Sequence, residues 1–287
     1  MKFVNFAKNW LNQKRNEVKS ISFNSYQRLI ENYVIPFLGN YEVEDINDEV
    51  LKEFETYLIN LEVGNATLEC TKRIVNSMLY PKERKEKEEN GTETFLDNEQ
   101  LIKFINYLKE NNSRHNNLLL FTVLTGINIG ELCGIKGKDI DFIDNTIYIS
   151  TTVNRVNTNS KYEIQKTKLI QTKTTHVRTI NVASEIMELL KTVKTSKQSF
   201  LVTGSTDLPD KRLLQKKLTD ISKKLDMHIT FKILQSTFIV NCIENGASLT
   251  QIAEYIGTSA ENLKRRGYTE KTSVKEIIKF QKECVTC

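Results

Sequence analysis

The 287-residue chain has no long apolar run. The longest stretch, around Leu118–Ile127, holds about ten residues, and a bilayer-crossing helix needs about 20. Met1–Trp10 contains no apolar segment long enough for a secretion signal. These two absences predict a cytoplasmic protein with no membrane partner. Cysteine is sparse: residues 70, 133, 242, 284 and 287 are odd in number and scattered. That pattern predicts reduced thiols rather than a disulfide framework. Cys284 and Cys287 form a lone C-x-x-C at the chain end, with no second Cys or His pair near it, so no metal site is expected. The 11 glycines form no phosphate-cradling loop, and no internal repeat is present.

Charge is plentiful. The net charge of +5 is unevenly spread: about 13 basic residues face 15 acidic ones over Met1–Asn90, and Arg155–His228 carries about 15 basic against 7 acidic. A basic second half fits a polyanion partner, but charge alone favours the plainer reading of a solvated lysine-rich surface. The length accommodates two domains, each with its own core.

Residues 1–80 read as all-helical. Phe3, Phe6, Ala7, Trp10 and Leu11 have helical spacing. A second helix over Ser22–Leu38, capped by Ser22 or Ser25, carries Tyr26, Leu29, Ile30 and Tyr33 and ends at Pro36 and Gly39. Asn47 caps a third helix, and a fourth follows the Gly64-Asn65 turn. Pro81–Thr94 is nearly all charged, without an apolar face, and marks a linker or a charged helical extension. Past it come a capped helix after Asp97, an apolar helix Asn117–Leu124, and strands over Thr146–Val153, Tyr162–Lys168 and Val177–Val182. Helices follow at Ser184–Val193 and Asp210–Leu225, and a short one at Lys275–Phe280.

The stretch Ile229–Tyr268 organises the second half. Leu234, Phe238, Ile239 and Ile243 form one helix face, with a left-handed stop at Asn245-Gly246. Ser248 caps a second helix that ends at Gly257, and a lone tyrosine follows at Tyr268, ten residues after Thr258.

Four separated segments, in order, resemble the tyrosine recombinases of the phage integrase family. The run S-F-N-S-Y-Q-R-L-I-E-N-Y-V-I-P-F-L-G looks like the core-binding domain that precedes the catalytic domain, though any four-helix domain is the plainer alternative. T-G-I-N-I-G-E-L is similar to the family's Thr-Gly-x-Arg-x-Gly-Glu-Leu, with Asn128 in the arginine's place. Thr172-Lys173-Thr174 matches the lysine-bearing hairpin. The 229–268 frame matches His-x-x-Arg-His, then Gly-His, then tyrosine. There Lys232 replaces the first His, Gln235 the Arg, and Thr258 the His after Gly.

The resemblance implies an α+β, mainly helical fold. A SAM-like core-binding domain (1–80) and a charged linker (81–94) would precede a catalytic-type domain with a small antiparallel sheet (95–287). It implies DNA cleavage through a 3′-phosphotyrosyl bond at Tyr268 that keeps the bond energy and needs no metal or cofactor, with Lys173 protonating the leaving oxygen and a cationic clamp stabilising the phosphorane. Neutral Asn128, Gln235 and Thr258 remove most of that clamp, and lysine at 232 keeps a charge without a fork. His115, His176 and His228 fill no catalytic slot and are expected at the surface.

The expectation is a DNA-binding protein of integration or recombination in a mobile element, catalytically impaired. By resemblance, duplex contacts would come from Ser22, Ser25, Tyr26, Arg28, Thr71, Lys72 and Arg73 in the first domain. Lys136, Lys138, Arg155, Lys173 and Lys232 would supply them in the second, the two domains closing on the duplex. Each of these side chains also reads as a plain solvated one. A homo-oligomer or an active recombinase partner on DNA is expected. Two other readings stay open: an active recombinase with relocated basic residues, and a protein-interaction module that has lost DNA binding.

Overall fold

A computed structural model describes residues 1–18, 20–80, 94–158, 166–193 and 195–269. The chain divides into two compact units, one of Met1–Lys87 with Asn157–Lys166 and one of Glu88–Val156 with Thr167–Cys287. Residues 81–93 of the stretch expected as a linker, the helix expected at Lys275–Phe280 and the Cys284–Cys287 pair lie outside the described residues.

The first unit is helical: α1 (Phe3–Glu17), α2 (Ser20–Leu29), α3 (Ile35–Leu38), α4 (Asp48–Asn60) and α5 (Asn65–Leu79). Its core joins Phe3, Ala7, Leu11, Ile30, Val34, Leu38, Phe54, Leu58, Ile74 and Met78. Asn47 caps α4 as expected, its side chain accepting from the amides of Glu49 and Val50 at 3.1 Å. The expected single helix over Ser22–Leu38 differs in two ways. It starts earlier, at Ser20, so Ser22 and Ser25 lie inside it and neither caps it. Between α2 and α3 it also passes through a π turn, Ile30–Val34, where the Ile35 amide bonds to the Ile30 carbonyl. Pro36 is the physical reason: it has no N–H to give Asn32, and its ring would clash with that carbonyl in a regular α-helix.

The second unit packs α6 (Asn98–Glu110), α7 (Arg114–Thr125), α8 (Ile129–Gly134), α9 (Ser184–Thr192), α10 (Lys211–Leu225), α11 (Phe231–Glu244), α12 (Leu249–Ile256) and α13 (Ala260–Arg265) with a three-stranded sheet. The sheet order is β1 (Ile140–Asp141), β2 (Thr146–Thr158), β3 (Lys166–Asn181). β1 and β2 pair antiparallel, Ile140 opposite Ile147. Helix α7 is the axis of this unit: every residue from Asn116 to Thr125 is buried, and it packs against α6, α9, α10 and α11. An apolar helix with no polar face is stable only when covered all round. Its polar residues are satisfied internally, Thr122 donating to Leu118 O and Thr125 to Phe121 O, both at 2.7 Å.

Caps set the helix ends that position the site. Asp97 with Gln100, and Ser248 with Gln251, form reciprocal capping boxes. Gly126, Gly246 and Gly257 take positive φ at helix ends. β3 runs unbroken over Lys166–Asn181, across the gap expected between the strands Tyr162–Lys168 and Val177–Val182, so Lys173 lies within a strand and not between two; residues 162–165 lie outside the described residues. The β-branched residues Thr172, Thr174, Thr175 and Val177 favour this extended backbone.

Candidate functional site

A buried ion pair holds the site's elements together. Glu131 of α8 is 7% exposed and Arg178 of β3 10%. Arg178 grips both carboxylate oxygens, Nη1 to Oε1 and Nη2 to Oε2, each at 2.9 Å. Its Nε donates to the Tyr255 carbonyl of α12 at 2.7 Å. Thr174 adds a hydroxyl donor to Glu131 Oε1 at 2.6 Å. This two-pronged charged geometry is strong and directional. It ties β3 to α8 on one side and to α12 on the other. Sequence reasoning missed it. The available signal was a glutamate, Glu131, beside Leu132 and Cys133 in an apolar helix: a buried carboxylate needs a partner.

The sequence-predicted positions hang on this frame. Lys173 precedes Thr174 and is exposed, because neighbours on a strand point to opposite faces. Asn128 is exposed just before α8, and its carbonyl receives the Leu132 amide at 2.8 Å. Gln235 of α11 is half-buried and donates from Nε2 to the Gly126 carbonyl at 2.8 Å. That bond fastens α11 to the turn carrying Asn128. Lys232, three residues earlier on α11, is exposed. Thr258 follows Gly257, whose missing side chain makes room for the Arg178 guanidinium. The Thr258 hydroxyl accepts from Asn262 Nδ2 at 2.7 Å.

Tyr268 ends the series. Its amide bonds to the Leu263 carbonyl at 3.2 Å, and the side chain is 6% exposed within the unit's core. The Arg266 guanidinium sits 5.4 Å from the centre of its ring, a cation–π distance.

The other predicted contacts divide. In the first unit Ser25 and Arg73 are exposed, and Ser22, Tyr26, Arg28 and Lys72 are half-buried. Tyr26 packs on Trp10, ring centres 5.6 Å apart, and Lys72 pairs with Glu55 at 2.6 Å. Thr71 is a correction: it is fully buried and its hydroxyl donates to the Thr67 carbonyl. It faces the core because it shares a helix face with Ile74, Val75 and Met78. In the second unit Lys138 is exposed, Lys136 lies 4.5 Å over the Phe200 ring, and Arg155 pairs with Asp210 at 3.2 Å.

His176 and His228 are exposed as expected, but His115 is half-buried. Burial first, then Lys217 and Arg114, pull its pKa below the ordinary imidazole value. Burial pushes the Cys133 thiol up to about 12 and raises that of Cys242 further. Among the described residues no cluster of His, Cys, Asp and Glu could hold a metal ion. No described helix is long and apolar enough to cross a membrane.

A helical unit followed by a helix-rich unit with a small antiparallel sheet, ending in a tyrosine after two short helices, is the architecture of a tyrosine recombinase. The chain belongs to the phage integrase family, whose profile matches residues 94–273. The N-terminal SAM-like domain of phage integrases matches residues 2–59. The integrase of Staphylococcus phage L54a is 26% identical, over 95% of this chain and 85% of that protein. A tyrosine recombinase XerC-like protein of Caldanaerobacter subterraneus subsp. tengcongensis is 27% identical, over 76% of this chain and 60% of its own length.

Among solved structures, the Tn1549 transposon integrase in complex with a circular intermediate DNA superposes with a TM-score of 0.70 at 16% identity, covering 95% of this chain and 96% of that one. A λ integrase dimer bound to a COC′ core site gives 0.60 at 15% identity, over 96% and 81%. These two likenesses concern the fold.

Proposed function

We propose that this protein binds duplex DNA as an integrase-type recombination protein of a mobile element, and that it cuts DNA slowly or not at all. One observation carries the second half. Two positions where the family places phosphate donors, Gln235 and Thr258, are neutral, and their side chains are engaged within the protein, with Gly126 and Asn262. A transition state that gathers negative charge needs preorganised charged donors, each worth on the order of 10²–10³ in rate. Losing both clamp arginines, at 128 and 235, costs on the order of 10⁴–10⁶, since grouped residues do not add simply. Lys173, Lys232 and Tyr268 remain, with no forked cation among them.

Binding survives such losses because it draws on many backbone contacts. We assign these to Ser22, Ser25, Tyr26, Arg28, Lys72 and Arg73 in the core-binding domain (1–80). In the catalytic-type domain (95–287), Lys136, Lys138, Arg155, Lys173 and Lys232 supply them. The charged stretch 81–94 is assigned as the linker. The solved neighbours are integrases on DNA, one of them a dimer, which supports a homo-oligomer or a pairing with an active recombinase on the site.

A second reading, an active enzyme with relocated cations, has one observation in its favour: Arg266 over the Tyr268 ring. Excision or integration in cells separates the two. If Tyr268→Phe leaves the frequency unchanged, the impaired-enzyme reading stands; if it abolishes the event, Arg266 and its neighbours have replaced the clamp. Duplex binding that ignores salt would instead point to an interaction module.

A further inference from the structure

Helix α1 carries a row of asparagines on the side farthest from its core. Phe3, Ala7 and Leu11 bury its inner face. Asn5, Asn9, Asn12 and Asn16 are all exposed. Their spacing of 4, 3 and 4 residues stacks them in one line along the helix, opposite the buried face. At a rise of 1.5 Å per residue that line is about 16 Å long. Among the described residues, none of the four side-chain amides enters a hydrogen bond.

Helix stability does not account for the row. Asparagine ranks below alanine, leucine, lysine and glutamine in a helix interior, because its short amide competes with the backbone for hydrogen bonds. None of the four is a cap: the N-cap is Lys2 and the C-cap Val18. The charge around the row has one sign. Lys8 and Arg15, seven residues apart and both exposed, share one flank of it. No acid occurs from Phe3 to Asn16, and Glu17 is taken up by Lys14. The helix is also held firmly where it starts: the Phe3 and Val4 amides donate to the Tyr41 and Gly39 carbonyls at 2.9 and 3.1 Å.

We infer that the Asn5–Asn9–Asn12–Asn16 row reads adenines in the major groove, which deepens the DNA-binding reading above and rests on it. The major groove admits an α-helix, and an asparagine amide matches adenine there with two bonds: Nδ2 donates to N7, and Oδ1 accepts from the N6 amino group. A row of neutral groups that each donate and accept suits base edges, whereas Lys8 and Arg15 on its flank suit the phosphates beside the groove. One DNA strand advances about 3.4 Å per base, so a 16 Å row faces on the order of five steps. The asparagines therefore contribute choice of site, and the two cations contribute affinity for any sequence.

The test selects duplexes from a randomised library with the full chain, wild type against Asn5→Ala/Asn9→Ala/Asn12→Ala/Asn16→Ala. Alanine is the better helix former, so the variant keeps α1 folded. Wild type should select adenines at positions where the variant shows no preference. On a selected duplex, changing one read A·T pair to G·C should weaken wild type by about 5–150-fold and leave the variant's affinity unchanged. Replacing that adenine by 7-deazaadenine, which lacks the N7 acceptor but pairs normally, should again weaken wild type alone. The salt slope of the variant should equal that of wild type, because amides displace no counterions. Lys8→Gln/Arg15→Gln should instead reduce the slope of log K against log salt by about 1.8 on every sequence. A variant that selects the same sequence as wild type, or a wild type indifferent to 7-deazaadenine throughout the selected site, overturns this inference and leaves the DNA-binding reading standing. A wild type with no salt-dependent binding to any duplex overturns that reading and this inference with it.

Discussion

Replacing Glu131 by glutamine removes one charge from the pair that joins α8, β3 and α12. The side chain keeps its shape, but the Arg178 guanidinium is left buried, at 10% exposure, without its counter-charge. One of its two 2.9 Å bonds then faces an amide nitrogen that cannot accept. Breaking a buried pair by removing one partner costs about 3–5 kcal/mol. In a unit of this size 1 kcal/mol shifts Tm by about 2–4 °C, so Glu131→Gln should lower it by roughly 6–20 °C. Thermal unfolding with a urea titration alongside measures this. A double change, Glu131→Leu with Arg178→Met, should recover most of the loss, because an apolar pair of similar volume carries no desolvation cost. A single variant that melts within about 2 °C of wild type, or a double variant no better than the single, would refute the argument.

Three further outcomes follow from the same geometry. Gly257→Ala places a Cβ against Arg178 Nη1 at a positive φ, and should cost about 1–3 kcal/mol in urea unfolding. With Cys284 and Cys287 changed to serine, the native protein should show one readily alkylated thiol, half-buried Cys70, since burial keeps Cys133 and Cys242 protonated; two or three fast thiols in a mass-resolved labelling course would contradict this. The depressed His115 pKa means the unfolded chain binds that proton first as pH falls. Its contribution is complete above about pH 6.5 and is lost as pH drops through the lower folded value, so His115→Gln should flatten that part of a stability–pH curve and leave pH 8 unchanged.

Much of this fold is written in local signals. The caps at Asn47, Asp97, Ser248 and the glycine stop at Gly257 are side-chain chemistry within a few residues, and the structure places each where the pattern puts it. The apolar run at Asn117–Leu124 is likewise a fully buried helix. What the sequence concealed depends on distance along the chain. Glu131 and Arg178 are 47 residues apart, and no periodicity links an acid in one helix to a base in a later strand. The π turn before Pro36 was hidden for another reason: a proline signals an interruption without saying whether the helix ends or widens. Thr71 was misassigned because a small polar residue on a helix satisfies its own hydroxyl against the preceding turn and can then be buried. The positions proposed for the site could be picked out of the sequence one by one. Which of them had become internal hydrogen-bond partners was not, because Gln235 meets a carbonyl 109 residues away.

The most direct test of the central claim is a suicide-substrate assay. Nicked duplexes carrying sequences that flank the protein's own gene are incubated with wild type and Tyr268→Phe, and each mixture is divided between a denaturing gel and a native binding gel. The account predicts salt-sensitive retention of the duplex on the native gel by both proteins, with no covalent adduct above background on the denaturing one. An adduct formed by wild type and absent in Tyr268→Phe would contradict it, and would mean that the cations beside Tyr268 do the work of the missing arginines.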